Sequence, residues 1–145
     1  KINCFITNII IEVVYYLIYN IYGWKIMDCI FCKIIKGDIP SYTIYENEYV
    51  KCFLDVNPNS MGHTLIIPKK HFKDIYDIDT LYLNEINKAS KEVIKILDEK
   101  LKPNGYKLVQ NNGILQEVKH YHLHIIPSYN KKNNMDVSDV FNMIK

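Results

Sequence analysis

The chain contains no arginine, because all 18 of its basic residues are lysine. The bidentate guanidinium fork is therefore unavailable. Any phosphate must be held by backbone N–H groups, histidines, other polar side chains or lysines. Net charge is scarce as well. The formal value of +2 is too small for a dedicated nucleic-acid binder, and no lysine run forms a phosphate-tracking stripe. There are no internal repeats, and no clear secretory signature. What is present fits one domain with one core: 145 residues, 48% apolar and 23% charged, a balance that argues against disorder.

The first 26 residues differ from the rest. Residues 4–24 are mostly Ile, Val, Tyr, Leu and Asn, with Glu12 the one acid and no base between Lys1 and Lys25. The length would allow a membrane span. Asn8, Glu12, Asn20 and the tyrosines make it a poor one. Met27 lies immediately before the first domain signature, so residues 1–26 are read as an apolar extension outside the fold. The alternative is a signal anchor, and membrane association is expected only in that case.

From Met27 the punctuation is clear. Residues 29–36 have helical spacing, with Gly37 as a C-terminal stop and Pro40 forbidding continuation. Residues 43–45 and 49–54 are β-prone and separated by Glu46-Asn47-Glu48, which predicts a hairpin. Residues 63–67 form a further strand ended by Pro68. Residues 80–101 are the clearest helix, with Ile86, Ala89, Val93, Ile96, Leu97 and Leu101 in one apolar stripe. Strands follow at 106–110 and 118–126, around a turn at Asn111-Asn112-Gly113. The polar tail, 131–145, closes with a short helix in which Val137, Val140, Phe141 and Ile144 share a face. The class is α+β: an antiparallel meander of about five strands with one long helix packed on a face, occupying residues 27–130.

Chemistry concentrates in His120-Tyr121-His122-Leu123-His124-Ile125-Ile126. On a strand, side chains alternate, so the three histidines are predicted to share one face. A neutral imidazole can be a nucleophile, a proton donor or a metal ligand. The bland reading is a solvated polar face. A second chemical reading is a catalytic zinc held by H-x-H-x-H. The other two of the five histidines, His63 and His71, flank the strand at 63–67. All five can converge if that strand joins the same sheet. The Cys29-x-x-Cys32 pair, in a chain without secretory features, points to metal or redox chemistry rather than a disulfide.

These segments resemble the histidine triad (HIT) family, whose signature H-φ-H-φ-H-φ-φ matches residues 120–126. The sequence is similar to the zinc-containing Hint-like branch in four more places. They are Cys29-Ile30-Phe31-Cys32-Lys33-Ile34-Ile35, Gly37-Asp38-Ile39-Pro40-Ser41, Phe53-Leu54-Asp55, and the run from Gly62-His63 to Lys70-His71. The resemblance spans residues 28–129 in order.

It implies a purine-nucleotide hydrolase or phosphoramidase acting on the α-phosphate of AMP-type esters or amides. His122 would be the nucleophile, forming a nucleotidyl-histidine that water hydrolyses. His124 would bind phosphate oxygens, and His63 would sit near the phosphate or leaving group. Asp55 would hold the ribose hydroxyls. Ile30, Phe31, Ile34, Phe53 and Leu54 would line the purine pocket, although ordinary core explains such residues equally well. For Asp55 the bland alternative is a turn before Asn57-Pro58. Asn111, with Asn112 as fallback, would serve the leaving-group side, and Gln116 and Glu117 the phosphate. Cys29, Cys32, His71 and His120 match a closed two-Cys, two-His set suited to structural zinc. The family implies a homodimer, with AMP, GMP or their phosphoramidates as ligands, in the cytoplasm or nucleus.

The chain departs from the family pattern at Gly113-Ile114-Leu115-Gln116-Glu117. The loop is two residues short, and Leu115 stands where a glycine usually offers its N–H to phosphate. That departure keeps two alternatives open. One is a nucleotide-binding interaction protein with little turnover. The other is a dinucleoside polyphosphate hydrolase, against which the C-x-x-C argues.

Overall fold

The computed structural model describes residues 29–131 and 134–145. The expectations for residues 1–26 and for Met27 lie outside the described residues. The elements are α1 (Ile30–Lys36), β1 (Thr43–Glu46), β2 (Val50–Leu54), β3 (Thr64–Pro68), α2 (Thr80–Leu101), β4 (Gly105–Val109), a 3-10 turn (Gly113–Leu115), β5 (Leu123–Ser128) and α3 (Val137–Ile144). They form the expected α+β architecture. No described helix is long and apolar enough to cross a membrane.

All strand pairs are antiparallel, in the order β1-β2-β3-β5-β4. The order departs from strict sequence at one place, because β5 inserts between β3 and β4. Insertion puts β5, and with it His124, in the sheet interior with a strand on each side.

Period-two alternation sorts the sheet into two faces. Leu54, Ile66 and Ile125 face α2 and join Ile86, Ala89, Val93, Leu97 and Leu101 in the main core. Phe53, Leu65 and Ile67 face the other way and pack with Phe31 and Ile34 of α1. Helix α2 starts on Asp79, whose carboxylate accepts from the Leu81 N–H at 2.8 Å. Ser90 takes a place on its buried stripe and Ile96 sits only half-buried at the edge. Helix α3 is a working part of the core, since Val140 and Ile144 are buried in it.

Gly62 has a structural reason to be glycine. Its φ is +82, and a Cβ there would lie 2.6 Å from Leu101 Cδ1. The chain must turn tightly against α2 just before His63.

The last strand is shorter than the alternation predicts. It begins at Leu123, not at Val118. β3 and β5 pair only over Thr64↔Ile125, Leu65↔His124 and Ile66↔Leu123. Pro68 has no N–H to extend the ladder, and its carbonyl is taken by the His120 ring at 2.9 Å. Residues 117–122 instead bend, with His120 N–H donating to Val118 O and Tyr121 N–H to Phe72 O. The three triad histidines therefore do not share one strand face.

Candidate active site and metal centre

One register row crosses the sheet on the α1 side: Phe53, Leu65, His124 and Val109 are successive cross-strand partners. Residues so paired share a face. His63 lies two residues before Leu65 and points the same way. α1 covers the row at its Phe53 end, and Phe31 meets the rings of His122 (centroids 5.2 Å apart) and His120 (5.8 Å) edge-on. An apolar wall thus borders a row of imidazoles.

Each histidine's proton is fixed by what its ring faces. A carbonyl only accepts, so the ring nitrogen beside it carries the proton. His122 Nδ1 lies 2.7 Å from His120 O. The neutral ring therefore holds its proton on Nδ1 and leaves Nε2 bare. Burial lowers the His122 pKa, so the ring is neutral near pH 7. The side chain is buried, and the bond to His120 O, then Asp55 and Glu117, only partly offset that effect. A neutral, oriented imidazole with a free Nε2 lone pair is a competent nucleophile.

His120 shows the opposite arrangement. Its Nε2 donates to Pro68 O, so Nδ1 is bare. That nitrogen lies 3.5 Å from Cys29 Sγ and 3.6 Å from Cys32 Sγ. Cys32 Sγ is also 3.3 Å from His71 Nδ1. The four ligand atoms lie within 4.8 Å of one another. Zinc bonds of about 2.3 Å to sulfur and 2.0–2.1 Å to nitrogen place S and N about 3.5 Å apart at the tetrahedral angle. The observed separations match that edge. Without a cation, burial and then the neighbouring Cys29 push the Cys32 thiol up to about 12. A bound divalent ion would remove that penalty. The residues fit a closed zinc site, and the Pro68 carbonyl supplies the outer contact that orients the His120 ring.

His124 Nδ1 faces His63 Nε2 at 3.0 Å. His63 Nδ1 accepts from the Asn59 N–H at 3.1 Å. His124 Nε2 is buried and has no hydrogen-bond partner among the described residues. Burial, then the nearby His122 and His63, push His124 down to about 4. Burial also lowers His63, with Asp55 opposing.

The remaining predicted residues divide. Asp55 joins the site: Oδ2 is 3.7 Å from His63 Nδ1, while Oδ1 accepts from Asn57 N–H at 2.9 Å. It therefore makes the predicted turn as well. Phe31, Ile34 and Phe53 come together, with Ile30 at their exposed rim. Leu54 does not join them. It points into the α2 core because it neighbours Phe53 on a strand. Gln116 is buried; its Nε2 donates to Lys73 O and its Oε1 has no partner among the described residues. Glu117 is exposed. Asn112 Oδ1 accepts from Ile75 N–H at 3.0 Å, while the Asn111 side chain has no hydrogen-bond partner among the described residues. Leu115 is 68% exposed, and its N–H donates to Asn112 O at 3.3 Å within the 3-10 turn.

Sequence reasoning missed Leu65 and Ile67, which complete the apolar wall, and the Asn59 backbone. The alternation His63, Leu65, Ile67 carried the first signal. A backbone donor leaves none.

This chain belongs to the histidine triad family: the HIT domain model matches residues 36–131. It is 42% identical over 128 residues to an uncharacterized HIT-like protein of Methanocaldococcus jannaschii, covering 81% of this chain and 98% of that one. It is 41% identical over 111 residues to adenosine 5'-monophosphoramidase of Saccharomyces cerevisiae, covering 75% and 68%. Among solved structures, a zinc-bound histidine triad family protein from Mycobacterium smegmatis superposes with a TM-score of 0.76 at 31% identity, covering 82% and 91%.

Proposed function

We propose that the protein hydrolyses AMP-type nucleotide phosphoramidates and related esters through a nucleotidyl-histidine intermediate on His122. The observation that carries this reading is the His122 ring: Nδ1 is tied to a carbonyl, and Nε2 has no hydrogen-bond partner among the described residues. Nε2 attacks the α-phosphorus, so an N–P bond forms as the bond to the leaving amine or oxygen breaks. The leaving group departs with a proton taken from solvent, which the attacking water of the second step gives back. Water then attacks phosphorus, the N–P bond breaks, and the nucleotide leaves with His122 neutral again. This splits one displacement into two. The buried, unpartnered His124 Nε2 supplies a donor to the phosphate oxygens, in a chain that has no arginine to do so. Asp55 holds the ribose, and Phe31, Ile34 and Phe53 the purine. Asn111 serves the leaving group, since Asn112 is committed to Ile75. The phosphoramidase name of the yeast relative favours the amide substrate.

Cys29, Cys32, His71 and His120 hold a structural zinc, which cross-links α1 to the triad segment. A catalytic zinc on all three triad imidazoles is disfavoured, because the Nδ1 atoms of the three rings are turned to different partners: the thiols for His120, a carbonyl for His122 and the His63 ring for His124. The protein acts as a homodimer, for which β4, an edge strand of the sheet among the described residues, offers its outer backbone and the exposed Leu108. The C-x-x-C thiols suit a reducing compartment, the cytoplasm or nucleus. Residues 1–26 form an extension to a domain at 27–130.

The test is a rate comparison of adenosine 5'-phosphoramidate with a dinucleoside polyphosphate. Preference for the first supports the reading. Preference for the second moves the protein to polyphosphate hydrolysis. Tight AMP binding with no turnover of either makes it a nucleotide-binding interaction protein.

A further inference from the structure

We infer that the loop of residues 57–60, through the backbone N–H of Asn59, sets which nitrogen of His124 carries the proton. The inference rests on the reading of His124 as a phosphate ligand. A peptide N–H is a donor that cannot invert, unlike a hydroxyl, a water or a side-chain amide. It meets His63 Nδ1 at 3.1 Å, so that nitrogen must accept. The neutral His63 ring then holds its proton on Nε2, 3.0 Å from His124 Nδ1. His124 accepts there, and its own proton is left on Nε2, the buried atom without a partner. One backbone N–H is thus relayed through two imidazoles and ends as a donor where a phosphate oxygen would sit.

The opposite pattern has its partner in place. Asp55 Oδ2 lies 3.7 Å from His63 Nδ1. A proton on that nitrogen would turn the chain around: His124 Nδ1 would donate to His63, and a bare Nε2 lone pair would face the phosphate. The 3.7 Å separation is too long for a hydrogen bond. The loop keeps it so. Asn57 N–H is held by Asp55 Oδ1, His63 N–H by Ser60 O at 3.0 Å, and Ser60 Oγ donates to Pro127 O. Asp55, His63 and His124 also gather within metal-ligand range. Their geometry favours a proton. The two ring centroids are 5.2 Å apart with nitrogens 3.0 Å apart, so the rings meet nearly head-on and their lone pairs do not converge on a third point.

The tautomer is read directly by long-range 1H–15N correlation of the imidazole rings in the zinc-loaded, uniformly 15N-labelled protein. The expected wild-type result is His124 protonated at Nε2 and His63 protonated at Nε2. His124 protonated at Nδ1, or averaging between tautomers, would overturn the inference. Asn59→Ala keeps the N–H and is expected to retain the tautomer. Asn59→Pro removes it; His124 is expected to become a tautomeric mixture, with kcat reduced about a hundredfold and KM changed far less, the size of losing one transition-state donor. An Asn59→Pro protein that keeps the wild-type tautomer would also overturn it. Should that variant not fold, the wild-type and Asn59→Ala spectra decide. If His122 is adenylylated while His124 carries Nδ1–H, this inference fails and the proposed function stands. If no turnover occurs but the tautomers are as stated, the reverse holds.

Discussion

His120 and His122 are two residues apart, both buried, and both bonded through one ring nitrogen to a backbone carbonyl. They are nevertheless prepared for different work. His120 spends Nε2 on Pro68 O and offers Nδ1 to Cys29 and Cys32. His122 spends Nδ1 on His120 O and offers Nε2 to the site. The residue type is the same, and in the proposed function the position of one carbonyl decides between metal ligand and nucleophile. A histidine's role is thus a property of its neighbours' backbone, and the neighbours are placed by where a strand ends.

The largest effect that separates the two regions is loss of the nucleophile. His122→Ala should lower kcat by at least about 10,000-fold while leaving the fold intact and AMP affinity within a few-fold, by steady-state kinetics and calorimetry. Retained activity would put the nucleophile elsewhere. Next comes the metal cluster. Cys32→Ser should abolish stoichiometric zinc and lower the melting temperature by about 10 °C or more, because metal binding contributes folding free energy. The protein that remains folded in the cold should still form the His122 adduct. Metal analysis with thermal unfolding checks the first part, and mass spectrometry the second.

A smaller effect follows from pH. His124 sits at about 4 in the folded protein against an ordinary 6.5, held down by burial first, and His63 is lowered in the same sense. A lowered histidine binds fewer protons folded than unfolded between those values. Stability is therefore full above about pH 6.5 and falls as the pH drops from there towards about 4. Thermal unfolding across that window should show the decline; a flat or rising curve would contradict the neutral assignments. The smallest effect is expected at Leu115. Its side chain is exposed and its N–H already bonded within the turn. Leu115→Gly should change kcat/KM by less than about threefold. A large gain would show that the missing glycine had been limiting the site.

Much of this was legible in the chain. The 3.6-residue period gave α2 to the residue at both ends, 80–101. The resemblance to the histidine triad family named Cys29, Cys32, His71 and His120, four side chains that the fold does bring together. Period-two alternation, however, overextended β5 back to Val118, because the pattern His-Tyr-His-Leu-His carries no sign of where its partner strand runs out. That limit lay fifty residues away, at Pro68. Leu54 was grouped with Phe53 as pocket, although alternation along β2 turns the two to opposite faces. The ring tautomers were not legible at all. They depend on carbonyls and on the Asn59 N–H, and every residue carries those groups alike.

The most direct test is mass spectrometry of the zinc-loaded protein quenched during turnover of adenosine 5'-phosphoramidate. The account predicts one adenylyl group per chain, mapped to His122, in molecules that under native conditions still carry one zinc. An adduct on His120 or His124, or zinc lost in step with adduct formation, would contradict the division of labour between the two histidines.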